Sequence, residues 1–172
     1  MTPLKPLTLL NPLNPLVDFL VPVYRIPVNH RILFICTGNY YRSRFAEAVF
    51  NHQANLDRLG WTAFSRGLAV HLADGPISTF TSQALGARSI DLNHTAPDRV
   101  QISEIDFERS KRQIALDLRE HLPMMQAQFP HWADKIEYWN VADMPYDTPE
   151  NALPEIERKV IQLIQELSQE EG

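Results

Sequence analysis

The chain has 172 residues, of which 44% are hydrophobic and 22% charged, a balance that fits one globular domain with a tail and excludes wholesale disorder. Sixteen Lys and Arg against 21 Asp and Glu leave a net charge of −5, which argues against general nucleic-acid binding, since that relies on neutralising phosphates. The single cysteine, Cys36, excludes an internal disulfide framework and a multi-thiolate metal site, so any thiol chemistry must run through that one sulfur.

Six of the 13 prolines precede His30. Proline removes backbone donors and fixes φ, so residues 1–29 read as a proline-rich extension, extended or disordered. An alternative reading makes it a docking segment for a partner, through Leu9, Phe19, Leu20 and Tyr24. Pro3, Pro6, Pro12, Pro15 and Pro22 interrupt its apolar residues, so neither a membrane span nor a signal peptide is expected. The expected location is cytoplasmic, and the expected domain covers residues 30–172.

Arg31–Ile35 is a short apolar run, as expected of a strand covered on both faces. After Cys36-Thr37-Gly38-Asn39, a helix is predicted from near Ser43, with Phe45, Ala48, Val49, His52, Leu56 and Leu59 at helical spacing and Gly60 closing it. Trp61–Phe64 is predicted as the second strand, ending at Ser65-Arg66-Gly67. Ile77–Leu85 is predicted as a helix stopped by Gly86, and 91–101 as loop. Ser103 is predicted to cap a short helix through Ser110. Arg112–Leu116 reads as the third strand. Leu118, Leu122, Met125 and Phe129 mark the next helix, with Pro123 assigned to its first turn. Lys135–Val141 reads as the fourth strand and Asp143–Pro149 as a turn-rich loop. Ile156, Val160, Leu163, Ile164 and Leu167 give a final amphipathic helix. Such alternation implies an α/β fold with a parallel sheet.

The chemistry sits in Cys36-Thr37-Gly38-Asn39-Tyr40-Tyr41-Arg42-Ser43, between the first strand and the first helix. Successive N–H groups in such a turn can form an anion cradle, and the following helix N-terminus adds positive charge. Gly38 and Asn39 tolerate the left-handed backbone that tight cradles need. Arg42 offers a planar fork for two phosphoryl oxygens. The same field favours the thiolate form of Cys36, and Ser43 can donate a hydrogen bond to it. The competing reading is a buried, inert cysteine at a strand end. His30, His52, His71, His121 and His131 have no ligand spacing and are expected to face solvent or to be partly packed; no metal or cofactor is called for.

This Cys-x5-Arg-Ser loop resembles that of the low-molecular-weight protein tyrosine phosphatase family, and the resemblance runs from about Arg31 to Leu167. Ser65-Arg66-Gly67, Ile90-Asp91-Leu92-Asn93-His94, Ile114–Asp117 and Phe129-Pro130 are weaker echoes in the same order. The resemblance implies a three-layer α/β/α fold with a four-stranded parallel sheet in the order 2-1-3-4 and helices on both faces. It implies Cys36 as nucleophile, residues Thr37 to Ser43 as phosphate binders, and Asp143 as general acid and then general base, with Asp147 in reserve and Tyr146 walling the pocket. An ordinary turn carboxylate would read the same at position 143. By resemblance, Asn39 braces the loop through Ser65 and His94. Tyr41 stands where the family carries a second cysteine, so no local disulfide can protect Cys36, and oxidation is expected to pass beyond sulfenic acid or to be capped by glutathione. Met144 separates Asp143 from the proline that the family places directly after its acid. Arg66 adds a positive charge near the expected site.

The implied activity is hydrolysis of phosphate monoesters through a cysteinyl-phosphate, on phosphorylated protein tyrosine or a small aryl phosphate, by a monomer or weak dimer. Two alternatives remain: a thiol-dependent arsenate reductase, against which the single cysteine argues, and a catalytically weak phosphate-binding regulatory module. Phosphoarginine is a further candidate substrate, although Tyr40 stands where related enzymes with that activity carry a small residue.

Overall fold

The computed structural model describes residues 30–170, so the expectations for residues 1–29 lie outside the described residues. Strand β1 (Arg31–Cys36) is the centre of the domain. Its alternating side chains split between two cores. Ile32 and Phe34 join one, Leu33 and Ile35 the other, and all four are fully buried. Each such burial contributes roughly 1.5–3 kcal/mol, which is why an unbroken apolar run of four sits here rather than at an edge.

Strand β2 (Thr62–Gly67) pairs with β1 in parallel, with Cys36 opposite Gly67. Strand β3 (Arg112–Ala115) pairs on the other side, with Ile35 opposite Ala115, and β4 (Glu137–Tyr138) pairs with β3. The sheet order is 2-1-3-4 and every strand pair is parallel, as expected. Helices α1 (Arg42–Leu56), α2 (Thr79–Ala87) and α6 (Pro149–Glu170) share one core through Phe45, Val49, Leu85, Ile156 and Val160. Helices α3 (Glu104–Glu108), α4 (Leu118–Gln128) and α5 (Pro130–Ala133) share the other through Phe107, Met125 and Ala133. The result is the three-layer α/β/α arrangement. Among the described residues, no helix is long and apolar enough to cross a membrane.

Several boundaries differ from the sequence reading. Helix α1 ends before Gly60: Arg58 takes the left-handed conformation at φ 56°, Leu59 N–H bonds Ala54 C=O at 2.9 Å, and Arg58 N–H bonds Asn55 C=O at 3.3 Å. This is a Schellman cap built on arginine rather than glycine. Helix α2 starts at Thr79 rather than Ile77, capped by Ser78, whose side chain accepts from Phe80 N–H, and it runs through Gly86 to Ala87. Pro123 lies in the second turn of α4, on its exposed face, where water can substitute for the donor that the Arg119 carbonyl loses. Strand β4 has two residues rather than seven. Beyond Tyr138 the chain still bonds the end of β3 and the residue after it, through Trp139 N–H to Ala115 C=O at 2.8 Å and Val141 N–H to Leu116 C=O at 2.9 Å, but Asp117 has by then turned to cap α4 and the ladder ends.

Candidate active site

The loop from Cys36 to Ser43 joins the end of β1 to the start of α1, so the topology alone brings the cysteine to the N-terminus of a helix. Cys36 is buried, and its Sγ lies 2.9 Å from Ser43 Oγ. Asn39 takes the left-handed conformation, at φ 49°, whereas Gly38 does not. What Gly38 provides is room, since a Cβ there would come within 3.1 Å of Ala73 Cβ. Gly67 is the tighter requirement. A Cβ on it would stand 2.8 Å from Asn39 N and 2.9 Å from Thr37 O, in the backbone of the loop itself.

The buried Asn39 side chain holds the loop in shape. Its amide donates to Ser43 Oγ at 3.1 Å and to Ser65 Oγ at 2.8 Å, and its carbonyl accepts from Val100 N–H at 2.8 Å. Ser65 is therefore the expected brace. His94 is not: its ring meets His52 edge-to-face at 5.2 Å, and its carbonyl accepts from Asn51. The 3-10 turn Leu92–His94 aims that side chain away from the loop, and the neighbouring Thr95 is turned inward instead.

Behind the loop lies a buried polar cluster that the sequence reading missed. Glu47 accepts from Ser65 Oγ at 2.6 Å, Thr95 Oγ1 at 2.8 Å and Ala96 N–H at 3.3 Å. Arg44 donates to Thr95 Oγ1 at 2.7 Å, to the Pro76 carbonyl at 3.0 Å and to the Ala96 carbonyl. Burial raises the Glu47 carboxyl above the usual range, despite these hydrogen bonds, and lowers Arg44. The available signal was an Arg-x-x-Glu pair inside a stretch of helix otherwise made of Phe45, Ala46 and Ala48.

Arg42 is almost wholly buried, and its guanidinium faces three acceptors. Nη1 donates to the Val141 carbonyl at 3.0 Å, and Nη2 to Glu120 and Asp143, each at 2.8 Å. Burial works against its charge, but Cys36, Asp143 and Glu120 outweigh that and raise its pKa. Glu120, a second residue missed from sequence, also accepts from the Thr37 hydroxyl. Burial would raise its carboxyl, yet His121, Arg42 and Thr37 together hold it well below the usual carboxylate range.

A cavity of about 350 Å³ opens over the loop, and Cys36, Arg42 and Asp143 line it together with Tyr40 and Tyr41. Tyr41 is buried, which pushes its phenol up to about 12, with Asp143 adding to the shift; its hydroxyl has no hydrogen-bond partner among the described residues. An adjoining cavity of about 540 Å³ shares Glu120 and Asp143 as walls and adds Asp117, Arg119, Met144 and Tyr146. Tyr146 is 84% exposed and stands at that outer cavity rather than over Cys36. Asp147 is turned to the start of α6, accepting from Thr148 N–H at 2.8 Å and Asn151 at 3.2 Å. Arg66 is held by Asp106 at 2.9 Å, so its charge does not serve the cavity. His121 is fully buried rather than solvent-facing or partly packed, because its Nδ1 accepts the Asp117 N–H at the start of α4, at 3.0 Å.

Comparison with known proteins agrees with this geometry. The family model for low molecular weight phosphotyrosine protein phosphatases matches residues 31–172. The chain is similar to a protein-arginine-phosphatase of Bacillus subtilis (strain 168), with 30% identity over 105 residues, 61% of this chain and 67% of the relative. The low molecular weight protein tyrosine phosphatase of T. tengcongensis superposes with a TM-score of 0.67 at 26% identity, over 80% of this chain and 99% of that one. YfkJ of Bacillus subtilis has a TM-score of 0.73 at 23% identity, over 84% and 98%, and shares the fold. With Cys36 at the floor of the loop, these likenesses make the protein a cysteine-based phosphatase of phosphate monoesters. The chain belongs to the low molecular weight phosphotyrosine protein phosphatase family.

Proposed function

We propose that the protein dephosphorylates phosphotyrosine in proteins, with residues Thr37 to Ser43 gripping the phosphoryl group. Cys36 Sγ attacks phosphorus, the ester P–O bond breaks, and Asp143 gives its proton to the leaving oxygen. A water then attacks the cysteinyl-phosphate and yields its proton to Asp143, which releases phosphate and restores the thiolate. The observation that carries this reading is the convergence of Cys36, Arg42 and Asp143 on one cavity, although Asp143 is more than 100 residues from Cys36 in the chain. Strand ends β1 and β4 open on the same edge of a parallel sheet, the usual location of such a site. The phenolic wall of Tyr40 and Tyr41 suits an aryl leaving group. The backbone nest and Arg42 supply the positive field that the transferring phosphoryl group needs. The reading places the protein in the cytoplasm, as a monomer or weak dimer.

Phosphoarginine in proteins is the second reading. It is favoured by the outer cavity, where Asp117, Glu120 and Asp143 present carboxylates that suit a cationic guanidinium leaving group. The similarity to a protein-arginine-phosphatase points the same way. Matched peptides bearing phosphotyrosine or phosphoarginine test both. A kcat/KM higher for phosphotyrosine supports the first reading and the reverse supports the second. Release of phosphate from neither peptide, with Cys36 intact, contradicts both.

A further inference from the structure

The Glu120 carboxylate sits inside the cradle that the loop builds for an oxyanion. Its Oε2 accepts from Arg42 Nη2 at 2.8 Å. Its Oε1 accepts from the Thr37 hydroxyl and lies 3.5 Å from His121 Nε2. Arg42 Nη2 is thus shared between Glu120 and Asp143, while Arg42 Nε is buried without a hydrogen-bond partner among the described residues. Nε and Nη2 form the edge of a guanidinium that can grip two oxygens of one phosphoryl group. Nη2 is held by carboxylates, and Nε by no group among the described residues.

His121 shows the complementary imbalance. It is fully buried, and its Nδ1 accepts the Asp117 N–H, which assigns the proton of the neutral ring to Nε2. That Nε2 has no hydrogen-bond partner among the described residues, a costly state for a buried donor, and the group nearest to hand is Glu120. Glu120 is also the member free to move, with 29% of its side chain exposed against none for His121.

We propose that Glu120 is a positioning residue that exchanges partners, holding Arg42 Nη2 in this structure and turning to His121 Nε2–H when an oxyanion takes Arg42. The exchange leaves no donor orphaned: the oxyanion gains Nε and Nη2, and the carboxylate gains the imidazole N–H. Glu120 then acts as an internal competitor that sets how tightly the cradle binds phosphate, and His121 as the receiver that makes release feasible. The depressed carboxyl of Glu120 keeps it ionised, so the competition persists across the physiological range. The proposal rests on the reading of residues Thr37 to Ser43 as an oxyanion cradle.

The test uses inorganic phosphate as the probe and reads its affinity from protection of Cys36 against iodoacetate, independently of turnover. Four proteins are compared: wild type, Glu120→Gln, His121→Asn and the double variant. Glu120→Gln is expected to bind phosphate about tenfold more tightly, because the competent state is no longer occluded. Asparagine at 121 can still accept the Asp117 N–H but lacks a donor at the Nε2 position. His121→Asn is therefore expected to weaken phosphate binding several-fold in the wild-type background and to have no effect in Glu120→Gln. A purely structural role for His121 would weaken both equally and overturns the proposal, as does unchanged or weaker affinity in Glu120→Gln. Should His121→Asn fail to fold, the Glu120→Gln arm alone decides. Absence of phosphate protection in wild type and Glu120→Gln alike overturns the cradle as well. Protection of both with equal affinity overturns only the exchange.

Discussion

The amide of Asn39 donates to Ser65 Oγ at 2.8 Å, which ties the tip of the loop to strand β2 across 26 residues of sequence. The same side chain holds Ser43, the residue that touches Cys36 Sγ. Asn39→Ala removes three hydrogen bonds and leaves at φ 49° a residue without the polar side chain that lets Asn tolerate left-handed backbone, so it is expected to destabilise the protein by roughly 2–4 kcal/mol. Asn39→Gly keeps the backbone freedom and is expected to lose about 1 kcal/mol less. Urea denaturation of the two variants checks the order. Equal losses would mean that the left-handed backbone contributes nothing.

Asp143 reaches the cradle through its 2.8 Å bond to Arg42. As the proposed proton donor, its change to Asn is expected to lower kcat by ~10²–10⁴-fold. The loss should be greater for phenyl phosphate than for p-nitrophenyl phosphate, whose leaving oxygen needs the proton less. Steady-state kinetics on both substrates provide the check. An equal loss on both, or a change in KM alone, would make Asp143 a binding residue instead.

Tyr41 carries a buried hydroxyl with no hydrogen-bond partner among the described residues and a phenol pushed up to about 12. Removing an unpaired buried hydroxyl while keeping the ring costs little. Tyr41→Phe is expected to hold stability within about 1 kcal/mol of wild type or to raise it, and to leave the pH–rate profile unchanged below about pH 10. Thermal melting and the profile test this. A large loss of stability would contradict this and mean that the hydroxyl is hydrogen-bonded in the folded protein.

Glu120 has a folded-state pKa below its ordinary value, so the unfolded chain binds the proton first as the pH falls. Its contribution to stability is complete above the ordinary carboxylate range, near ~4.3, and is lost progressively on acidification below about pH 5. The stability gap between wild type and Glu120→Gln should therefore narrow from pH 7 towards pH 3. Urea titrations at a series of pH values measure it, and a gap that widens with acid would show that the Arg42–Glu120 pair is not formed in solution.

Much of this molecule was legible in its sequence because local patterns and long-range packing agree there. The apolar run of β1, the Cys-to-Ser loop and the heptad-like face of α6 each need only neighbours along the chain to be read. What was missed depends on side chains that meet across the fold. Glu120 looks like one more charge on a surface helix until α4 is placed beside Arg42. His94, expected beside Asn39, faces His52 instead, while the adjacent Thr95 turns inward to Glu47, because a single 3-10 turn decides which of two neighbours points inward. Strand β4 is shorter than the sequence pattern of 135–141 implies because Trp139 and Val141 still bond Ala115 and Leu116 after the ladder has ended, and alternation along one segment cannot show where its partner turns away.

The central claim is that Cys36 carries the phosphoryl group. Rapid quenching of the enzyme during turnover of an aryl phosphate, followed by mass spectrometry of the peptide containing Cys36, tests it most directly. The expected result is one phosphoryl group on Cys36 Sγ, enriched in Asp143→Asn, where breakdown lacks its base. Turnover with Cys36 unmodified at every time point, or a Cys36→Ser variant that hydrolyses the substrate at the wild-type rate, would contradict it.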